Sequence, residues 1–277
     1  MSIKNPAQPT IVKIKKIIDE APGYKTFVFE YPLAGRPGQY LMLWLPGVDL
    51  KPFSIAWQTQ SEFALAVLKR GEFTAKLFAA KAGDRLGFLG PLGTYYNFKN
   101  KKKILLIGGG CGTPSVVFLA QAAREQGLEV DFILAARIAE EIIFERFLAD
   151  KGVKVFHRFQ NQKYEHVWDL IEDKIKAEPY DGLYACGPEL LLKRLVDLTL
   201  NKNIFCQISM ERYMKCGLGV CGKCCVDPIG LCLCQAGPVV TNQLANQITE
   251  FGQYYRDASG QKIYFDDKRQ KADSCKI

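Results

Sequence analysis

The sequence predicts a fold of three parts: a sandwich or barrel of short β-strands, a parallel α/β domain, and a small loop-rich segment dense in cysteine. Over residues 10–98, short alternating or apolar runs recur about every ten residues, which is typical of an all-β unit. From Lys103 onward, strand-like and helix-like stretches alternate, which favours a parallel sheet. Six of the ten cysteines lie between Cys216 and Cys234, where no regular pattern is visible.

Composition limits the class of protein. The chain has 277 residues, of which 48% are hydrophobic and 24% charged, enough for two domains and a small appendage. No apolar run reaches the roughly 18 residues of a membrane span, and the N-terminal region lacks the apolar block of a secretory signal. We therefore expect a cytoplasmic chain without a membrane span, in which clustered cysteines bind metal rather than form disulfides.

The net charge of +8 raises the question of an anionic partner. Basic residues are scattered, and their only run, Lys99–Lys103, precedes an apolar strand and is typical of a solvated turn. We therefore expect no nucleic acid partner, and a surface that suits anionic cofactors.

The first predicted domain, residues 1–98, contains the runs IVKIKKII, KTFVFEY, YLMLWLP, FSIAW and FALAVLK, separated by glycine and proline turns. One helix is predicted near Thr74–Ala80. The stretch KPFSI, Lys51–Ile55, places a cation, a proline of fixed φ and a hydroxyl in succession, which suits a diphosphate and a flavin ring. Downstream, RGEFTAKL places Thr74 at a predicted helix start, a second candidate anion site.

The second predicted domain, residues 99–203, follows the connector GPLGTYYNFKNKKK. Its predicted strands are KILLIGGG, VDFILAA, VKVFHRF and GLYACG, and its predicted helices are Pro114–Gln126, Glu140–Asp150, Val167–Lys176 and Glu189–Asn201. Two turns at strand ends are candidate ligand sites: GGGCG at residues 108–112, which departs from the G-x-G-x-x-G fingerprint, and the turn at Cys186. Taken alone, each turn is also consistent with tight structural packing.

The rest of the chain is predicted to hold a metal-binding segment, residues 204–240, and a polar tail, residues 241–277, interpreted as an extended segment that wraps another surface. Cys216, Cys221 and Cys224 have the spacing C-x4-C-x2-C of plant-type [2Fe–2S] sites, whereas structural zinc usually takes two C-x2-C pairs. Nearby glycines let the backbone turn N–H groups towards sulfur. The segment therefore predicts an iron–sulfur cluster.

The fourth ligand has three candidates. Cys225 adjoins Cys224, and consecutive residues of an extended chain point in opposite directions, so Cys225 is disfavoured. Cys232 and Cys234 would share one face of a strand, so periodicity alone does not separate them.

In this order, KPFSI, GDRLGFLGPLG, IGGGCGTPS and YACGP resemble the motifs of the ferredoxin–NADP reductase superfamily. The stretch SMERYMKCGLGVCGKCC narrows the resemblance to the electron transfer subunits of heteromeric dihydroorotate dehydrogenases, over about residues 8–240. The resemblance implies an N-terminal antiparallel β-barrel that binds FAD, a parallel-sheet domain that binds NAD, and a small C-terminal [2Fe–2S] segment.

The resemblance also implies binding roles for individual residues. Those assigned to FAD are Lys51, Pro52, Phe53 and Ser54 at the ring and phosphates, Leu68, Lys69 and Arg70 beside the ring and ribityl chain, and Phe73 and Thr74 at the diphosphate. Those assigned to the pyridine nucleotide are Gly108, Gly109, Gly110, Gly112, Cys186, Gly187 and Pro188. The implied cluster ligands are Cys216, Cys221, Cys224 and Cys234, the last because the family's fourth ligand stands just before a Gly-Pro pair.

Three positions depart from the family pattern. Lys51 stands where the family has arginine, which keeps the charge but loses the bidentate fork. Phe73 replaces a glycine at the diphosphate, and Cys111 replaces an apolar residue. We therefore expect FAD to be held less tightly than by the family's usual motif.

The resemblance implies an electron conduit in pyrimidine biosynthesis. A catalytic subunit carrying FMN would oxidise dihydroorotate, and electrons would cross the cluster and FAD of this chain to NAD⁺, in a heterotetramer with two copies of each subunit. Glu140 and Glu141, close to Arg137, would repel a 2′-phosphate and so favour NAD over NADP. The alternatives are a flavin subunit of another redox complex, such as a sulfhydrogenase or an NAD(P)H:ferredoxin oxidoreductase, and a zinc-stapled binding module.

Overall fold

The computed structural model of the protein describes residues 8–159 and 165–265. Six strands close an antiparallel barrel in the order β1-β2-β5-β4-β3-β6. They are β1 Thr10–Ala21, β2 Tyr24–Glu30, β3 Tyr40–Leu45, β4 Asp49–Gln58, β5 Glu62–Leu68 and β6 Arg85–Leu92, with helix α1, Glu72–Phe78, between the last two. Alternate residues of each strand point inward, so the barrel fills with aromatic rings such as Phe27, Phe29 and Phe63.

The second layer is a six-stranded sheet in the order β14-β11-β10-β7-β8-β9. Its strands are β7 Lys103–Gly109, β8 Glu129–Ala136, β9 Lys154–Phe159, β10 Gly182–Cys186, β11 Cys206–Ser209 and β14 Val239–Thr241, and its helices are α2 Thr113–Glu125, α3 Glu145–Asp150, α4 Glu165–Ala177 and α5 Glu189–Asn201. All pairs are parallel except β11 with β14. The strand order reverses between β7 and β10, where open α/β sheets form a ligand crevice at their carboxyl ends.

The C-terminal part is built from short elements. They are β12 Cys225–Val226, β13 Leu231–Cys232, α6 Leu233–Ala236, α7 Asn242–Asn246, β15 Tyr254–Arg256 and β16 Lys262–Tyr264. β14 joins the α/β sheet, so the predicted boundary at residue 240 falls inside a strand of that sheet. The predicted fold class, a barrel followed by a mainly parallel α/β sheet and a small cysteine-rich segment, is confirmed.

Two predicted helices differ from the structure. The helix predicted near Thr74–Ala80 begins earlier, at Glu72. The helix predicted over Glu140–Asp150 is only the 3₁₀ turn Ala139–Glu141 followed by α3, because Phe144 takes a left-handed φ of 64° that interrupts a continuous helix.

The tail is not simply extended. Its described part contains α7 and the β15–β16 hairpin, and Phe251 is buried. The rest of the predicted tail, residues 266–277, lies outside the described residues. Among the residues that the structure describes, no helix is long and apolar enough to cross a membrane.

Candidate functional site

A cavity of about 550 Å³ opens between the barrel and the carboxyl edge of the α/β sheet. Its wall combines strand β4, the start of α1, the turn after β7 and the segment after β11. The predicted binding residues that line it are Lys51, Pro52, Phe53, Ser54, Leu68, Arg70, Phe73, Thr74 and Cys186. The other predicted binding residues, Lys69, Gly108, Gly109, Gly110, Gly112, Gly187 and Pro188, are not part of its wall.

Strand β4 carries the KPFSI motif along one wall of this cavity. Ser54 lies opposite Tyr40 of strand β3 in the antiparallel register. The ammonium of Lys51 lies 3.0 Å from the carboxylate of Asp49, which also accepts a hydrogen bond of 2.8 Å from Lys215. The bond from Lys215, and then those from the Leu50 backbone N–H and from Lys51, hold the pKa of Asp49 well below its usual range. Lys51 is therefore positioned at the wall by a neighbouring carboxylate.

The segment at the start of α1 explains one departure from the family pattern. The ring of Phe73 is buried and stacks on Phe53, with 5.9 Å between ring centroids, so it does not fill the cavity as a free side chain would. The hydroxyl of Thr74 accepts hydrogen bonds from the backbone N–H groups of Arg70 and Gly71, at 2.8 and 3.0 Å. Thr74 therefore shapes the turn from within the helix, as its third residue, rather than standing at the helix start.

The two predicted nucleotide turns are packed together at the crevice. A Cβ at Gly112 would lie 2.5 Å from the backbone carbonyl carbon of Cys186, and one at Gly109 would lie 2.9 Å from Pro188 Cδ. Only glycine allows the chain after β7 to approach the chain after β10 this closely. The turns form one continuous backbone surface beside the cavity, which fits the close approach of a ligand.

Sequence reasoning missed many residues of the cavity wall, among them Tyr40 and the carboxylate of Glu211. Burial raises the pKa of the Glu211 carboxyl to about 7, against the opposing charge of Arg70. The sulfur of Cys111 lies 3.7 Å from Glu211 Oε1. Burial, followed by the charge of Glu211, raises the pKa of Cys186 to about 12. The position of Glu211, just past the carboxyl end of β11, is the signal that could have identified it.

The cysteine segment turns its backbone N–H groups towards sulfur. Leu218 N–H points at Cys216 Sγ at 3.4 Å, and Cys234 N–H at Cys224 Sγ at 3.3 Å. Gly219 N–H points at Cys234 Sγ at 3.2 Å, and Gly219 has a φ of 74°, which favours glycine. These donors are what the sulfur atoms of an iron–sulfur cluster accept, so the loop fits such a group.

The pKa values of the cysteine thiols in this segment differ. Although burial opposes it, hydrogen bonds from the backbone N–H groups of Leu218, Cys221 and Val220 lower the pKa of Cys216 to about 6. Burial and the neighbouring Cys224 thiol raise the pKa of Cys234 to about 12. Within the described ranges, no three His, Cys, Asp or Glu side chains converge as a single metal ion requires.

The structure separates the candidates for the fourth ligand. Cys232 ends strand β13 and faces Cys225 of β12, with the two sulfur atoms in contact as a disulfide. Cys234 lies in helix α6, where its backbone and thiol meet Cys224 and Gly219. Cys232 and Cys234 do not share a face of a strand, and the expectation that clustered cysteines form no disulfides is wrong at the Cys225–Cys232 pair.

The cysteine loop also packs directly on the barrel. Tyr40 lines the cavity, and its hydroxyl donates a hydrogen bond of 3.1 Å to the backbone carbonyl of Cys234. A Cβ at Gly217 would lie 2.7 Å from Met42 Cγ of the same strand. One strand of the barrel therefore separates the cavity from the cysteine loop.

A cluster of ion pairs, partly buried, connects the segment after β11 to the rest of the molecule. Arg212 pairs with Glu189 at the start of α5 and, at 2.7 Å, with Glu250. Arg256 lies 2.8 Å from Glu250 and 2.7 Å from Asp227. These ion pairs connect the Cys186 turn, the cysteine hairpin and the tail, and the pairs of Arg212 are almost fully removed from water.

Comparison with known proteins identifies the family. Residues 211–244 match the model of the iron-sulfur cluster binding domain of dihydroorotate dehydrogenase B. The probable dihydroorotate dehydrogenase B (NAD(+)) electron transfer subunit of Methanocaldococcus jannaschii is 42% identical over 267 residues, covering 93% of this chain and 99% of that protein. The chain belongs to this family of electron transfer subunits. A second relative of the same description, from Methanothermobacter thermautotrophicus, is 34% identical and covers 92% of this chain and 97% of its own.

Solved structures of other proteins share the fold of this chain. The structure of an NADH-dependent reduced ferredoxin-NADP oxidoreductase superposes with a TM-score of 0.76 at 22% identity, covering 87% of this chain and 91% of that one. Phthalate dioxygenase reductase superposes with a TM-score of 0.62 at 20% identity, covering 69% and 64%. The resemblance stated from the sequence motifs is confirmed, and the chain is an oxidoreductase subunit with an iron–sulfur binding domain on a ferredoxin reductase-like fold.

Proposed function

We propose that this chain conducts electrons between the FMN of a dihydroorotate dehydrogenase catalytic subunit and NAD⁺. When bound, a [2Fe–2S] cluster supplies one-electron transfer and FAD couples it to hydride transfer. The observation that carries the proposal is the position of Tyr40, which lines the cavity and holds the Cys234 carbonyl on its other side. One residue thus touches both proposed cofactor sites.

The cavity supports FAD as its occupant. Its volume of about 550 Å³ falls in the range of sites for cofactor-sized ligands. Lys51 brings a cation for the phosphates, and Ser54 brings a hydroxyl for the ring. Cys186 lies at the same wall, so a nicotinamide on the adjoining turns would lie beside the flavin. Glu211 and Cys111 also line this part of the wall.

The four proposed ligands are Cys216, Cys221, Cys224 and Cys234. All four are free thiols in the described structure. Backbone N–H donors point at three of them, Cys216, Cys224 and Cys234. The cysteine loop exposes Cys221, which leaves one edge of the site open to a partner.

The nucleotide proposed is NAD. Arg137, which follows β8, forms an ion pair with Glu141 through two nitrogens of its guanidinium. An arginine neutralised in this way offers little charge to a 2′-phosphate, and the exposed carboxylate of Glu140 repels one. A comparison of kcat/KM for NADH and NADPH with a dye acceptor tests the choice.

The partner is proposed to dock on the open edge of the cysteine loop. Val220, one residue from Cys221, is 82% exposed, and Ile229 at the hairpin turn is 41% exposed. Apolar side chains exposed beside an electron-transfer site are typical of an interface. The complex proposed is a heterotetramer with two copies of each subunit.

One preparation tests the function. Purified without oxygen, the chain is expected to contain FAD, iron and acid-labile sulfide, and to pass electrons from NADH to a dye. Dihydroorotate should reduce NAD⁺ only after the catalytic subunit is added. A colourless protein containing zinc would overturn both cofactor proposals. A coloured protein that never couples to dihydroorotate would point to another redox complex.

A further inference from the structure

The pair Cys225–Cys232 lies outside the proposed ligand set but inside the loop that carries it. The two residues are register partners in the β12–β13 hairpin, with 4.0 Å between their Cα atoms and their sulfur atoms in contact. Both side chains are half-buried, so small thiols reach them without unfolding of the chain. Nothing in the proposed electron path uses them.

The position of this pair relates it to the ligands. Cys224 directly precedes Cys225, and Cys234 follows Cys232 by two residues. The Leu233 N–H donates to the Cys224 carbonyl at 3.1 Å, and the Cys234 N–H to the Cys224 thiol at 3.3 Å. A covalent link between Cys225 and Cys232 therefore closes the base of the hairpin, at the end where two proposed ligands lie side by side.

The other end of the hairpin is already fixed. The Thr249 N–H donates a hydrogen bond of 3.0 Å to the backbone carbonyl of Asp227. The Asp227 carboxylate accepts hydrogen bonds from Tyr254 and Arg256 at 3.0 and 2.7 Å. The base is held by a two-residue ladder, by the Leu233 and Cys234 N–H bonds to Cys224, and by the cysteine pair. The pair is the covalent link among these contacts, so its state sets how readily the two ligand-bearing ends of the hairpin separate.

We propose that Cys225 and Cys232 form a reversible disulfide that locks this hairpin and slows loss of the iron–sulfur cluster. The inference rests on the proposed cluster site. In the closing reaction, one thiolate attacks a low-molecular-weight disulfide and releases its thiolate. The second thiolate then attacks the mixed disulfide and releases the other. Two protein thiols are oxidised, one small disulfide is reduced to two thiols, and a dithiol reverses the step.

The test uses the purified holoprotein. Alkylation followed by mass analysis should find Cys225 and Cys232 linked after treatment with oxidised glutathione, and both alkylated after treatment with dithiothreitol. Iron release to a chelator should be roughly tenfold faster in the reduced protein, as expected when a short loop loses its cross-link. Cys225→Ser, Cys232→Ser and the double variant should all release iron at that faster rate, with or without dithiothreitol.

The outcomes distinguish failure of the disulfide proposal from failure of the proposed cluster site. If wild-type protein contains no iron, the cluster site itself fails. If iron is bound but the variants release it as slowly as the oxidised wild type, the cluster stands and the lock is wrong. If Cys232→Ser alone removes the iron, Cys232 is a ligand and the lock is equally overturned.

Discussion

The hydroxyl of Tyr40 donates a hydrogen bond to the backbone carbonyl of Cys234 across 3.1 Å. Burial, followed by the nearby thiols of Cys234, Cys224 and Cys216, raises the pKa of this phenol far above its ordinary value, so Tyr40 stays a neutral donor at every physiological pH. A protonated phenol therefore connects the proposed flavin cavity to the proposed cluster loop.

Tyr40→Phe is expected to loosen this connection. The Cys234 carbonyl loses its buried donor, which costs about 1–3 kcal/mol. Thermal unfolding, monitored by the release of flavin, should begin at a lower temperature than in wild type. Reduction of the cluster by NADH should be slower. Tyr95→Phe, at an exposed ring on the same domain, is the matched control. Equal behaviour of the two variants would contradict the link.

The ligand assignment predicts different outcomes for two neighbouring cysteines. Cys234→Ser should lose most iron and acid-labile sulfide, because Cys234 lies against Cys224 and the Gly219 N–H. Cys232→Ser should be purified with both, because its sulfur faces Cys225 instead. Metal and sulfide analysis of the two proteins decides the matter, and the reverse pattern would exchange the assignment.

Lys51→Ala should weaken FAD binding by roughly ten- to a hundredfold, the effect of one charge-assisted hydrogen bond to a phosphate. Lys51→Arg should restore or tighten binding, because arginine offers a bidentate fork. Lys215→Ala is the control, since Lys215 also pairs with Asp49 but does not line the cavity. Flavin fluorescence on dilution measures the affinity. Unchanged retention in Lys51→Ala would place the phosphates elsewhere.

Glu211 predicts a pH dependence. Its pKa is raised from 4.5 to about 7 in the folded chain, so the folded state binds the proton more tightly than the unfolded state. Its stabilising contribution is present below pH 4.5 and is lost as the pH rises through about 7. Glu211→Gln should therefore raise the midpoint of thermal unfolding relative to wild type at pH 8 but not at pH 5. The exposed Glu140→Gln should show no such difference.

The docking surface predicts a separation of two activities. Val220→Glu should reduce electron transfer from dihydroorotate to NAD⁺ in the assembled complex by at least about tenfold, because it buries a charge in an apolar contact. Transfer from NADH to a dye should be unchanged. Ile11→Glu, at an exposed position on strand β1, controls for the added charge. Loss of both activities, or of neither, would place the partner elsewhere.

Local sequence patterns predicted most of the helices and strands, because the periodicity of apolar residues is visible within a short stretch of sequence. The helix over Glu189–Asn201 matches its prediction at both ends. What failed depends on distant contacts. Cys232 and Cys234 were inseparable because a continuous strand was assumed, whereas a helical turn begins at Leu233. Glu211 carries no motif of its own, and its place at the cavity follows only from the meeting of barrel and sheet.

The ion pairs of Arg212 bear on where the chain can be shortened. Glu250 is buried and meets both Arg212 and Arg256. A protein truncated after Asn246 would leave Arg212 without one carboxylate in a site closed to water, at a cost of about 3–5 kcal/mol. Purification tags belong beyond the β15–β16 hairpin, and a protease that cuts before Glu250 should lower the thermal stability of the segment after β11.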